Sequence, residues 1–290
     1  RRREGLPRSR WLRVRFRLAD RLVFRKLRER TGGRLRCFVS GGAPLAVEIS
    51  EFFYAAGMAI LEGYGLTETS PVVAVSSPER LRPGTVGPAV PGTEIRIADD
   101  GEILVRGPQV MRGYYNLPEA TREVLDDDGW LHTGDIGHLD ADGFLTITDR
   151  KKDIIVTAGG KNVAPQPIEG EFKHNKFVSQ IVVVGDRRPY LACLIVPNFE
   201  NLQKYAARKK IAYTDLSGLI KHPAIVAMYG RQLQRVNAGL PPFAQVRRCA
   251  LLEHDFTLEA GELTPTLKVK RQVVQREHRA LIDAMYADSD

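Results

Sequence analysis

The residues best equipped for chemistry fall in one run, Leu61-Glu62-Gly63-Tyr64-Gly65-Leu66-Thr67-Glu68-Thr69-Ser70-Pro71. Gly63 and Gly65 let a backbone pass close to a flat ligand, and Tyr64 between them offers a ring face on which a purine can stack. Thr67 and Glu68 set a hydroxyl beside a carboxylate, hard-oxygen donors suited to phosphate and Mg²⁺. The run describes a nucleotide–metal site; the structural alternative is a glycine-rich turn after a buried strand. Ser40-Gly41-Gly42-Ala43-Pro44 follows a second strand-like stretch, where small residues admit an adenine edge or an acyl chain, or simply make a tight turn. Asp135, ending Gly129-Trp130-Leu131-His132-Thr133-Gly134-Asp135, can accept both hydroxyls of a ribose or cap a turn.

The YGLTETSP run resembles the signature of the adenylate-forming enzymes, the family of acyl-CoA synthetases, luciferases and peptide-synthetase adenylation domains. Four further segments follow in that family's order, and the resemblance spans residues ~35–286. It implies that Gly42, Ala43 and Pro44 line the adenine and acyl pockets, that Glu62, Gly63, Tyr64 and Gly65 surround adenine with Tyr64 stacked on it, and that Thr67 and Glu68 handle phosphate and Mg²⁺, Glu68 as the metal ligand. GWLHTGD is similar to the family's ribose motif, which assigns Asp135 to the ribose. The segment Gly143–Asp153 resembles the interdomain stretch: Ile147 lies at the nucleotide, Arg150 contacts ribose, and Lys152 takes the hinge position. Asp149 departs from the pattern, since many members have Gly there. The resemblance places Gly159 and Gly160 in the loop that lines the pantetheine tunnel, and Lys268 at the catalytic lysine. A single ammonium is a compact charge that can bridge an attacking carboxylate and an α-phosphate as negative charge develops. Leu267 stands where the family often has Gly, and a different register would put Lys270 in the catalytic position. The Leu263-Thr264-Pro265-Thr266 ending is that of the long-chain acyl-CoA synthetases.

The resemblance therefore implies ATP-dependent ligation of a long-chain fatty acid to CoA through an acyl-adenylate, with ATP, Mg²⁺ and CoA as cofactor and co-substrates. Two other readings stand beside it: an acyl-AMP ligase with a different acceptor, and a non-catalytic AMP-binding or split-enzyme fragment. The family's Ser/Thr/Gly-rich phosphate loop ending in Pro-Lys-Gly is not found in the sequence, and the first methionine is Met58. The chain is thus expected to be a fragment that lacks an N-terminal region of the same enzyme.

The elements that must position these residues can be read from periodicity. Leu35–Ser40, Leu45–Ala56 and Met58–Leu61 read as strand, helix and strand, a parallel α/β layer. Residues 84–148 are punctuated by Gly and Pro between alternating stretches such as Glu102–Arg106, a small antiparallel β subdomain. Beyond a boundary near 151/152, strands are expected at Val178–Val184, Tyr190–Val196 and Val246–Leu252. Helices are expected near Pro167–Lys173, Phe199–Arg208, Pro223–Ala238 and Arg271–Tyr286, giving a small mobile α+β domain over 152–290. The fold class is α/β for the first part and α+β for the second.

Composition adds bounds. At 290 residues and 43% hydrophobic the chain can bury two domain cores. No run of ~18 apolar residues occurs, so no transmembrane helix is expected. Cys37, Cys193 and Cys249 form no CxxC pair, which fits a reducing cytoplasm better than a disulfide framework or thiolate metal site. Residues 1–36 carry 15 Lys/Arg against 3 Asp/Glu, while the rest carries 28 against 32. Within that basic segment Leu12, Phe16, Ala19, Val23 and Leu27 recur at helical spacing. A helix packed on a larger domain with solvated arginines is the favoured reading over nucleic-acid binding; peripheral contact with an inner membrane surface stays open.

Overall fold

The computed structural model describes residues 10–287. The chain divides after Thr148 into two compact units. The first nine residues of the basic segment lie outside the described part.

The first unit opens with helix α1 (Arg10–Ala19), a π-helical turn (Asp20–Phe24) and helix α2 (Arg25–Arg30). The π turn inserts a residue into the 3.6-residue repeat, so the apolar stripe shifts by one. Phe24, not Val23, continues the packed face: its ring lies 5.9 Å from both Phe16 and Phe52, while Val23 is half exposed. Arg28 donates from Nη1 to the Ala56 carbonyl (2.6 Å), closing the end of the helix on which the segment packs. That helix is α3 (Val47–Ala55), which connects strands β1 (Cys37–Gly41) and β2 (Ala59–Tyr64). β1 and β2 pair in parallel, with Gly41 opposite Gly63, and β3 (Ala74–Val75) adds antiparallel to β2.

A five-stranded sheet follows in the order β4-β8-β7-β6-β5, from strands β4 (Gly87–Pro88), β5 (Glu94–Ile97), β6 (Glu102–Arg106), β7 (Leu131–Leu139) and β8 (Phe144–Arg150). The pairs β5–β6, β6–β7 and β4–β8 are antiparallel. One helix, α4 (Pro118–Val124), lies within the expected mainly β stretch. Proline at its first turn and the Thr121 hydroxyl, which bonds the Leu117 carbonyl at 2.9 Å, hold a helix too short to be stable alone. Val73, Ala74, Ile103, Val105 and Leu145 form the buried core, against which Tyr64 and Ile147 pack from the rim.

The second unit begins with a 3₁₀ turn at Lys151–Asp153 and a short antiparallel pair, β9 (Ile155–Val156) with β10 (Asn162–Val163). Its main sheet has the order β11-β12-β13, from β11 (Val178–Val184), β12 (Leu191–Pro197) and β13 (Val246–Leu251). β12 is antiparallel to β11 and parallel to β13. Every residue of β12 is buried, and alternate side chains enter different cores. Leu191, Cys193 and Ile195 join Ile168, Phe172 and Tyr229 from α5 (Pro165–Lys173) and α8 (Pro223–Asn237). Ala192, Leu194 and Val196 join Val274 and Ile282 from the C-terminal helices. A strand buried on both faces must read as a continuous apolar run, which is how Leu-Ala-Cys-Leu-Ile-Val was recognisable.

Two more helices, α6 (Phe199–Lys209) and α7 (Leu216–Lys221), precede α8. Asn198 and Asp215 cap them by accepting from the Asn201 and Gly218 amides (3.0 and 2.7 Å). The expected single helix at the end is two: α9 (Arg271–Glu277) and α10 (Arg279–Ala284) break at His278, whose ring is drawn toward Phe256 and Glu262. No helix among the described residues is long and apolar enough to cross a membrane.

Candidate functional site

In the first unit the two small-residue segments leave the sheet side by side. β1 ends at Gly41 and β2 at Tyr64 in a parallel pair, so Gly42-Ala43-Pro44 and Gly63-Tyr64-Gly65 emerge at the same carboxyl edge. Open α/β sheets bind ligands at that edge. Gly65 is fixed by space rather than by torsion: a Cβ there would stand 1.6 Å from the Pro71 carbonyl oxygen. The turn that doubles back on it is tied by Thr69, which is fully buried and bonded through its hydroxyl to the Leu66 amide (2.9 Å) and to the Leu66 and Pro71 carbonyls (both 3.0 Å).

Within this turn Thr67 is exposed and Glu68 is held from the next loop. The Tyr114 hydroxyl donates to Glu68 Oε1 at 2.9 Å, and the Met111 amide donates to the Glu68 carbonyl at 2.8 Å. The carboxylate in turn pushes the Tyr114 phenol pKa above its ordinary value. Nothing in the sequence pointed to Tyr114. Glu62, by contrast, turns its side chain inward, buried beside Ser50 and Gly84. Burial raises its pKa more than those two neighbours lower it. Its carbonyl accepts from the Ser76 amide at 2.8 Å.

Asp135 reaches the same place from the other sheet. Between Glu102↔Ile136 and Leu104↔His132 the register slips, so Thr133, Gly134 and Asp135 all face Ile103. Such a bulge re-aims a side chain that regular pairing would place elsewhere. Gly134 takes φ +69°, a left-handed conformation that costs glycine little. The Thr133 hydroxyl donates to the Ile103 carbonyl (2.7 Å), and the buried Glu102 carboxylate accepts from the Gly134 amide (2.9 Å) and faces His132. Asp135 is itself buried, and its Oδ2 accepts from the Tyr64 hydroxyl at 2.7 Å. Tyr64 is thus joined to Asp135 and packs, like Ile147, against the first unit's buried core.

The oxygen donors fit a nucleotide-borne Mg²⁺ rather than a protein cage. Thr67 and Glu68 supply one hydroxyl and one carboxylate, and Mg²⁺ commonly takes one or two carboxylates with phosphate and water completing its octahedron. Among the described residues no group of three or more His, Cys, Asp or Glu is placed to hold a metal ion.

In the second unit Arg150 and Lys152 are exposed at its start. Asp149, buried, accepts from the Gln166 amide (2.9 Å), the Gln166 side chain (3.1 Å) and the Arg150 amide (2.7 Å), tying the entry of the unit to the first turn of α5. Burial raises its pKa in spite of these bonds. The Asp149 substitution that broke the sequence pattern is therefore an anchor. Gly159 and Gly160 are exposed at the tip of the β9–β10 loop, closed by Thr157, whose amide donates to the Lys161 carbonyl at 3.0 Å.

Lys268 is exposed on a tight loop. Its carbonyl accepts from the Thr264 amide (2.8 Å) and its amide donates to the Thr264 hydroxyl (3.0 Å). Leu267 adopts φ +60°, which explains why a glycine is favoured there and marks local strain in this chain. Arg271, three residues on, roots the loop: Nη2 meets Glu169 at 2.8 Å and Nη1 donates to the Val183 carbonyl at 2.7 Å. Lys270 is also exposed, and its amide donates to the Glu262 carbonyl at 2.7 Å.

A sequence model of the AMP-binding enzymes matches residues 14–115, and one of the AMP-binding enzyme C-terminal domain matches residues 152–290. The chain belongs to the adenylate-forming, AMP-binding enzyme family. It is 47% identical over 276 residues to the long-chain-fatty-acid–CoA ligase FadD15 of Mycobacterium bovis, covering 95% of this chain and 46% of that protein. Against the human long-chain-fatty-acid–CoA ligase ACSBG1 it is 36% identical over 297 residues, covering 94% and 41%. Its fold is similar to the A domain of a carboxylic acid reductase from Segniliparus rugosus in complex with AMP and a co-purified carboxylic acid (TM-score 0.73, 26% identity, all of this chain and 44% of that one). The corresponding domain from Mycobacterium chelonae gives TM-score 0.73 at 26% identity, over 98% and 43%. The chain spans about half the length of the curated relatives it matches.

Proposed function

We propose that this chain supplies the adenosine-binding rim and the C-terminal lid of an ATP-dependent long-chain fatty-acid–CoA ligase. Residues 1–151 are the end of the large AMP-binding domain in this reading, and 152–290 the lid. The observation that carries it is the meeting of Tyr64 and Asp135, placed by sequence at the adenine and the ribose and joined at 2.7 Å. The family membership and the identity to the mycobacterial ligase support the choice of acid and acceptor.

In the first half-reaction the fatty carboxylate oxygen bonds to the α-phosphorus of ATP and the bond to pyrophosphate breaks. Tyr64 stacks on adenine, Asp135 and Arg150 hold the ribose, and Gly42, Ala43 and Pro44 line the adenine and acyl pockets. Lys268 neutralises charge gathering between carboxylate and α-phosphate. Thr67 and Glu68 engage phosphate, and a Mg²⁺ bound with ATP would offset phosphate charge there. In the second half-reaction the CoA sulfur bonds to the acyl carbonyl carbon and AMP leaves, with Gly159–Gly160 beside the pantetheine arm and Lys152 as the pivot that exchanges one loop for the other.

The test separates the halves. In the protein at its full natural length, Lys268→Ala should lower acyl-adenylate formation about 100-fold or more and leave thioester formation from supplied acyl-adenylate within about 3-fold. Equal loss in both halves would remove Lys268 from its role.

A further inference from the structure

One loop grips Glu68 at both ends. The Met111 amide holds its carbonyl at 2.8 Å, and the Tyr114 hydroxyl donates to its Oε1 at 2.9 Å. A main-chain bond leaves the last torsion of a glutamate broad. The tyrosine reaches the carboxylate itself, and Oε2 accepts no hydrogen bond from the described residues. Tyr114 is held in turn by α4. Its amide donates to Thr121 Oγ1 at 2.9 Å, and the Thr121 hydroxyl donates to the Leu117 carbonyl at 2.9 Å. The Tyr114 carbonyl accepts from the Leu117 amide at 3.1 Å. Gly113 takes φ +145°, and a Cβ there would stand 2.7 Å from the Thr121 side chain, so the close seat on α4 requires glycine. The contacts run from helix to tyrosine to carboxylate, with one oxygen engaged and one left over.

We propose that Tyr114 is a positioning residue for Glu68: by engaging Oε1 it offers the divalent cation of the nucleotide a single carboxylate oxygen, and so selects Mg²⁺ over Ca²⁺. Mg²⁺ demands a near-ideal octahedron and keeps much of its water, whereas Ca²⁺ readily takes both oxygens of one carboxylate. A hydroxyl bonded to Oε1 disfavours that chelation. Groups that orient a metal ligand from behind contribute about 10–100-fold to metal affinity. The inference rests on the nucleotide–metal reading above, and it gives the short helix α4 a task in the site.

Calorimetric titration of the full-length protein with α,β-methylene-ATP, which cannot release pyrophosphate, tests it in Mg²⁺, in Ca²⁺ and in EDTA. AMP in EDTA is the control for the metal-free site. The native protein should bind the analogue about 10-fold or more tightly in Mg²⁺ than in EDTA, and more tightly in Mg²⁺ than in Ca²⁺. Tyr114→Phe should cut the gain from Mg²⁺ about 10-fold and the gain from Ca²⁺ less, so that the preference for Mg²⁺ falls. It should leave AMP, and the analogue in EDTA, within about 2-fold of native. Glu68→Gln should remove the gain from Mg²⁺, and Tyr114→Phe added to it should change nothing further. An unchanged gain from Mg²⁺ in Tyr114→Phe, equal losses in the two metals, or an equal weakening of AMP overturns the role of Tyr114 and leaves the nucleotide site standing. A native protein that binds no AMP, or binds the analogue no better with Mg²⁺, overturns the nucleotide–metal reading, and this inference with it.

Discussion

Arg271→Met tests the root of the Lys268 loop and has a magnitude that follows from the structure. Arg271 and Glu169 are nearly buried, at 12% and 10% side-chain exposure, and meet at 2.8 Å. Glu169 also accepts from the Val183 amide at 2.8 Å. Methionine would fill much of the arginine's volume but strand the Glu169 charge, which costs about 3–5 kcal/mol. For a unit of this size that lowers Tm by about 10–20 °C. The penalty should depend on pH. Burial already raises the pKa of Glu169 above 4.5, and the Arg271 charge opposes that rise; burial raises Asp149 too, with Arg271 again opposing. Without the arginine both folded-state values climb further. A carboxyl with a raised folded pKa binds its proton more tightly folded than unfolded, so its destabilising effect is absent below the unfolded value and grows as pH rises through the folded one. The loss in Arg271→Met should therefore be largest at pH 7 and shrink as pH falls toward 4.5. Glu169→Gln combined with Arg271→Met should restore most of it. Trp11 and Trp130 both belong to the first unit, so their fluorescence serves as an internal control while amide exchange along β12 follows the second. A penalty under 1 kcal/mol, or one that ignores both pH and the Gln substitution, would refute the reasoning.

Two further substitutions follow from the same geometry. Gly65→Ala forces the Pro71 carbonyl to move by more than an ångström, so about 3 kcal/mol of local stability and most AMP affinity should be lost. Near-native AMP binding would show that the turn yields. Thr264→Val removes the hydroxyl that holds the Lys268 amide; adenylate formation should fall about 10-fold, thioester formation should not, and Thr264→Ser should recover the loss, all read by single-turnover assays of the two halves.

What the sequence revealed and what it hid separate by range. β11 was legible to the residue, because its buried second half, Ile181–Val184, reads as unbroken Ile and Val. The turn at Gly65 was legible as a motif, although not its cause, a Cβ-free approach to Pro71. The family resemblance places Glu62 at the adenine from its position in the run, whereas its side chain is buried beside Ser50 and Gly84, a tertiary contact that no local pattern encodes. Tyr114 against Glu68 and Tyr64 against Asp135 join positions 46 and 71 residues apart, and no local pattern encodes such pairings. The π turn and the helices α4 and α7 escaped because helical periodicity needs several turns to register.

β12 acts as a partition wall. On one side its core reaches Ile155 and Val163, which flank the loop of Gly159 and Gly160; on the other it reaches Leu263, Val269 and Val274, which flank the loop of Lys268. The groups proposed for the two half-reactions are thus furniture on opposite sides of a single close-packed panel. Interiors of that density move as solids rather than flex. In the proposed exchange of one loop for the other, the interior of the unit would need no remodelling. A substitution such as Cys193→Ser, confined to one side of the wall, should trouble its own core first and leave the spacing between the two loops intact.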